Sequence, residues 1–164
     1  MIKPSKKCSI DMSFTEAARA FPKRNDLYAY MLHHFAKMVP EPVRSHRQYN
    51  NQTQRGFGED AFHAMWWLLF REFKPVECVE IGVYRGQIIS LWALIAKLLD
   101  YHANISGVSP FEPVVDSTTK YSEGVDYIKD TLETFKRYGL DKPTLVKAHS
   151  QGEVALDHLA SKRV

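Results

Sequence analysis

A chain of 164 residues, 45% hydrophobic and 12% aromatic, is long enough for one domain with its own core, and its composition excludes a disordered or fibrous protein. A formal net charge of +3 and a pI near 8.8 are mildly basic, but apart from Lys6-Lys7 and Lys162-Arg163 the basic residues are scattered, which speaks against a nucleic-acid partner. Cys8 and Cys78 have no CxxC partner and point to a reducing, cytoplasmic setting; the start lacks an apolar signal core, and the longest apolar run, Ile88 to Leu99, is too short for a bilayer, so no membrane partner is expected.

In chain order, Ser13-Phe14-Thr15-Glu16 fits a capping box and predicts a short helix to Phe21, stopped near Pro22. A second helix follows Asn25, with Leu27, Tyr30, Met31, His34, Phe35 and Met38 on one apolar stripe and Pro40 and Pro42 closing it. His34 on that stripe reads as a core or boundary histidine. From Arg44 to Gly58 the sequence is polar and without periodicity, which predicts a linker or an ordered loop. A helix from Glu59 to about Phe73 carries Phe62, Met65, Trp66, Leu69, Phe70 and Phe73 as its core face, and Lys74-Pro75 ends it.

Val76 to Leu99 then reads as an apolar strand ending in Glu80-Ile81-Gly82, a tight turn Val83-Tyr84-Arg85-Gly86, and a helix apolar almost all round. Asn104 to Ser109 predicts a second strand, broken by Pro110-Phe111-Glu112-Pro113, and Val114 to Lys120 a loop. Tyr121 to Tyr138 predicts an amphipathic helix with Val125, Ile128, Leu132 and Phe135 in register, closed by Gly139 as its C′ residue. Thr144 to Ala148 predicts a third strand, and Ser150-Gln151-Gly152-Glu153 a capping box that opens a last helix. The βαβαβα order from Pro75 onward predicts an α/β fold with a parallel sheet.

In an open α/β sheet ligands bind at the carboxyl ends of strands, so function is sought at the Gly82 turn. Gly82 and Gly86 can adopt positive φ and let a ligand approach the backbone, and the amides opening the next helix favour an anionic group. The same two glycines also serve an ordinary strand-to-helix turn.

Glu80-Ile-Gly82-Val83-Tyr84-Arg85-Gly86 between an apolar strand and an apolar helix resembles motif I of the class I S-adenosylmethionine-dependent methyltransferases, in an E-I-G-V-x-x-G form, and the later G-V-S-P-F is similar to that family's second unit. The resemblance runs from about Gly56 to the end. It implies a Rossmann-like three-layer sandwich with a parallel sheet of about three strands plus N-terminal helices: residues 1–58 as a helical extension and loop, 59–164 as a partial cofactor-binding domain. It also implies that Glu80 helps hold the methionine part of S-adenosylmethionine and that Gly82, Val83, Tyr84 and Gly86 form the turn against which it lies. By the same resemblance Ser109, with Phe111 and Glu112, falls at the ribose, and His149 and Ser150 near the adenine. The sequence departs from the stricter E-x-G-x-G-x-G at Tyr84, and Ser109 stands where the family carries an acidic residue.

The function implied is methyl transfer to an acceptor that the sequence does not identify, with no catalytic base to name. Acceptor-binding and catalytic residues of the family lie mostly after a fourth strand, about where this sequence stops, so the expected C-terminal half is missing. The first strand is then an exposed edge, inviting a homodimer, cover by the N-terminal helices, or the missing half. A non-catalytic binding or assembly module is the second reading. A nicotinamide-dependent oxidoreductase comes third, because G-x-G-x-x-G started at Gly82 fails at Tyr84 and Gln87. No H-x-x-x-H or C-x-x-C pair predicts a metal, and no Walker A loop or G-x-S-x-G elbow occurs.

Overall fold

The computed structural model describes residues 10–112 and 124–162. Lys6, Lys7, Cys8, Pro113, the whole of the loop expected over Val114 to Lys120, the first residues of the helix expected from Tyr121, and Arg163 lie outside them. Among the described residues the chain forms seven helices and a three-stranded sheet, in two compact units divided between Lys74 and Pro75.

The first unit is helical: α1 (Phe14–Ala20), α2 (Arg24–Lys37), α3 (Glu41–Gln52) and α4 (Asp60–Phe73). The capping box forms as read. Ser13 Oγ accepts the Glu16 N–H at 3.2 Å, and the Glu16 carboxylate accepts the Ser13 N–H at 2.9 Å. α2 buries Tyr30, Met31, His34 and Phe35, the centre of its predicted stripe, and packs along α4. His34 is a core histidine, with the Tyr30 hydroxyl 3.4 Å from Nδ1 and Asp11 Oδ1 3.9 Å from Nε2.

Two expectations fail here. The stretch expected as linker or loop from Arg44 is helix α3 as far as Gln52. Pro40 is its N-cap and Pro42 lies in its first turn, where a missing N–H is harmless, so these prolines open a helix rather than only closing one. α3 buries Val43, His46 and Asn50, spaced three and four residues apart. Its inward stripe is two-thirds polar and carries no hydropathy signal. In α4 the expected core face is rotated. Ala61, His63, Ala64, Trp67, Leu68 and Phe70 are buried, whereas Phe62 and Phe73 are 47% and 59% exposed. Large apolar side chains stand on every side of this helix and do not announce its inner face, and the small Ala61 and Ala64 lie on the side that the neighbouring helices approach.

The second unit is β1 (Glu77–Ile81), α5 (Gln87–Leu98), β2 (Asn104–Ser109), α6 (Tyr127–Arg137), β3 (Thr144–Lys147) and α7 (Glu153–Ala160). The sheet is parallel in the order β1-β2-β3, with Glu80 opposite Gly107 and Val108 opposite Val146. The mixed α/β class with a parallel sheet is therefore as the sequence reads. α5 packs on β1, β2 and α6, burying Ile89, Leu91, Trp92, Leu94 and Ile95. α6 closes as expected. Gly139 has φ +59°, and Leu140 N–H returns to Phe135 O at 2.9 Å in a Schellman turn.

α6 starts at Tyr127 behind an Asp126 cap, and it buries Tyr127, Thr131, Thr134 and Phe135 rather than the stripe of Val125, Ile128 and Leu132. The Ser150 capping box does not form. Gly152 is the N-cap of α7 with no side-chain cap, and its N–H closes a turn on His149 O at 2.9 Å.

Candidate functional site

Because the three strands are parallel, the segments after Ile81, Ser109 and Lys147 leave the sheet at one end, and ten candidate residues collect there. The sharpest of them is Glu80. On β1 it shares a face with Cys78 and reaches back to α5, where its carboxylate accepts the Ile89 backbone N–H. The other oxygen, Oε2, is buried and has no hydrogen-bond partner. Burial raises the Glu80 pKa to about 7 against the opposing pull of the Ile89 amide. One of the amides opening α5 is thus taken by the protein's own carboxylate, which makes this helix start less of an anion site than the sequence implies.

Beyond Glu80 the chain turns through Gly82 at φ +89°, where only glycine is comfortable. The Gly82 N–H is fixed to Val108 O at 2.9 Å, and a Cβ built at this position meets nothing within 4 Å. The backbone here is open on one side. Gly86, the N-cap of α5 at φ +79°, differs: a Cβ there falls 2.6 Å from Thr131 Cγ2 and 2.7 Å from its Oγ1. Packing against α6 accounts for this glycine without any ligand.

α6 grips the turn residue by residue. Tyr84 packs on Tyr127 at 5.4 Å between ring centroids, Arg85 Nε donates to Asp130 Oδ2 at 2.5 Å, and Gly86 abuts Thr131. Tyr127, Asp130 and Thr131 are one helical face at i, i+3 and i+4. The Arg85 and Asp130 side chains are each only 14% exposed, so solvent screens this pair weakly. Sequence reading missed all three partners on α6, and the only available signal was their helical spacing. It also missed Gly107, where a Cβ would lie 2.5 Å from Val83 Cγ2. The second strand carries glycine to seat the buried Val83 of the turn.

The remaining candidates are placed less favourably for a ligand. Ser109 is buried and donates its hydroxyl to Val83 O at 3.0 Å, tying the end of β2 to the turn. Phe111 is buried with φ +52°. Glu112 is exposed and pairs with Lys147 at 3.1 Å, across the ends of β2 and β3. His149 and Ser150 are exposed in the loop after β3. Glu80, Gly82, Val83, Tyr84, Gly86 and Ser109 form one connected cluster, whereas Glu112, His149 and Ser150 sit on its rim.

A cleft of about 590 Å³ lies at the opposite, amino ends of the strands, lined in part by Lys97, Tyr101, Asn104, Gly139 and Lys162. Two of its three lysines have partners in the fold: Lys97 Nζ donates to Gly139 O at 2.8 Å, and Lys162 pairs with Glu77 at 3.2 Å. It offers no chemistry comparable to that of Glu80. Among the described residues no three His, Cys, Asp or Glu side chains are grouped to hold a metal ion, and no helix is long and apolar enough to cross a membrane. Set against protein-family models, curated proteins and solved structures, the chain matches none.

Proposed function

We propose that the second unit is a Rossmann-like S-adenosylmethionine-binding unit of a methyltransferase, with the cofactor's amino-acid end at Glu80 and its chain along the open backbone of Gly82. One observation carries this reading: a buried carboxylate oxygen without a donor stands beside a positive-φ glycine that leaves room above the backbone, at the carboxyl end of a parallel strand. An α-ammonium supplies the donor that Oε2 lacks. The donor set fits the cofactor at its methionine end. It fits less well at the ribose, because the Ser109 hydroxyl already serves Val83 and Glu112 already serves Lys147.

When bound, S-adenosylmethionine supplies a methyl group on a sulfonium for in-line displacement. The chain's contribution is orientation: Glu80 anchors one end, Gly82 sets the approach, and α6 holds the turn rigid through Arg85–Asp130. The preoccupied Ser109 and Glu112 favour a second reading, a module that binds but does not catalyse. The buried, unpaired Cys78 thiol, its pKa pushed up to about 11 by burial, fits the cytoplasmic location we assign.

Calorimetric titration with S-adenosylmethionine, S-adenosylhomocysteine and NAD tests the assignment. Binding of the first two and not of NAD is expected, while binding of NAD alone would reverse it. Cofactor binding with no methyl transfer to any tested small-molecule or protein acceptor would favour the binding-module reading.

A further inference from the structure

Among the described residues Glu80 stands without a charged partner. β2, its neighbour in the sheet, contains no charged residue, and Ser106 on it donates to Cys78 O at 3.5 Å. α5 has no acidic residue in its first turn, and its one lysine, Lys97, is bound to Gly139 O beyond the far end of the helix. On β1 itself Glu77 is held by Lys162 and Asn104, and burial keeps the Cys78 thiol protonated. In the turn, Arg85 is committed to Asp130. Among the described residues no cation is available to Glu80, which has one amide donor and one buried, unpartnered oxygen. A carboxyl in that position is stable as an acid until a cation arrives from outside.

We propose that an ammonium-bearing ligand settling on the Gly82 turn drives one proton off Glu80, so that its affinity is set by pH around neutrality. The inference rests on reading this turn as the S-adenosylmethionine site and adds the proton to it. In the step, the Glu80 O–H bond breaks, the proton passes to buffer, and the carboxylate oxygen accepts an N–H from the ligand's ammonium, with no change of oxidation state. Since burial places the Glu80 titration at about pH 7, affinity falls about tenfold for each pH unit below that and is flat above it.

Calorimetry with S-adenosylhomocysteine in two buffers of different ionisation enthalpy measures the proton directly. Release of about one proton at pH 6 and almost none at pH 8 is expected, with none at either pH in Glu80→Gln. As a control, 5′-methylthioadenosine keeps the nucleoside and lacks the ammonium, so it should bind without releasing a proton. Buffer-independent heats with S-adenosylhomocysteine bound would overturn the proton coupling and leave the site assignment standing. Failure of S-adenosylhomocysteine to bind at any pH would overturn the site assignment and the coupling with it. A readout without ligand separates these cases: carbon-13 titration of the glutamate carboxyls should show Glu80 turning near pH 7, and a midpoint near 4.5 would overturn the inference whatever binds.

Discussion

At Gly86 a side chain has nowhere to go, while at Gly82 it has space and the wrong backbone, and this difference lets packing and ligand roles be measured apart. Gly86→Ala puts a methyl into Thr131 and forces alanine to φ +79°, so a loss of about 2–4 kcal/mol is expected from overpacking and left-handed strain together. Thr131→Ala in the same chain should recover part of it, and a denaturant double-mutant cycle reads the coupling; strict additivity would mean that the contact is relieved some other way. Gly82→Ala should cost only the strain of its φ, about 1–2 kcal/mol, because its Cβ meets no protein atom. Its effect on S-adenosylmethionine should be far larger, and affinity that survives Gly82→Val in a folded protein would remove the ligand from this surface. Glu80 and Gly82 were legible as a pair in the sequence because a carboxylate before a glycine turn is a local signal. The commitment of Ser109 to Val83 was not, since it joins residues 26 positions apart.

At the scale of elements, signals that are local and apolar came through: the Ser13 cap, the α2 stripe, strand β2 to the residue, and Gly139 as C′ residue. What failed was any helix whose inner face is polar or whose two faces are equally apolar. α3 buries His46 and Asn50, and α4 meets it with His63; the two imidazoles lie 5.8 Å apart between centroids. Burial, reinforced by His63 and Arg47, drives the His46 pKa to about 3. Burial and Arg47, against the Glu59 carbonyl hydrogen bond, bring His63 to about 4. Both values are depressed, so the unfolded chain takes up protons near pH 6.5 while the folded chain refuses them. Stability is complete above that pH and is lost as pH falls toward 4. Denaturant midpoints at pH 7 and pH 5 should differ by about 2 kcal/mol for each histidine, and His46→Gln should halve the slope. A flat profile over that range would place both imidazoles in contact with water, and a half-sized slope in the wild type would place one of them there.

For the whole molecule the open question is the side of β1 that faces away from β2. Val76 O accepts Asn104 N–H at 2.8 Å and Gly82 N–H reaches Val108 O at 2.9 Å, so the even-numbered residues serve the β1–β2 ladder. By the same alternation the N–H and C=O groups of Glu77, Val79 and Ile81 point to the other edge, which no described strand covers. Val76 and Ile81 at its two ends are 62% and 56% exposed, and neither a lysine nor a proline lies within the strand to blunt it. An edge without a strand neighbour templates pairing with another chain, and a two-fold partner would set Val79 against its own copy and Glu77 against Ile81, with no like charges opposed. Light scattering over a range of concentrations is therefore expected to show self-association. Ile81→Lys should shift it toward monomer while changing stability by only about 0.5 kcal/mol, because the side chain is largely exposed already. A wild-type protein that stays monomeric at every concentration, with a single cooperative melt, would show that this edge is not a pairing surface.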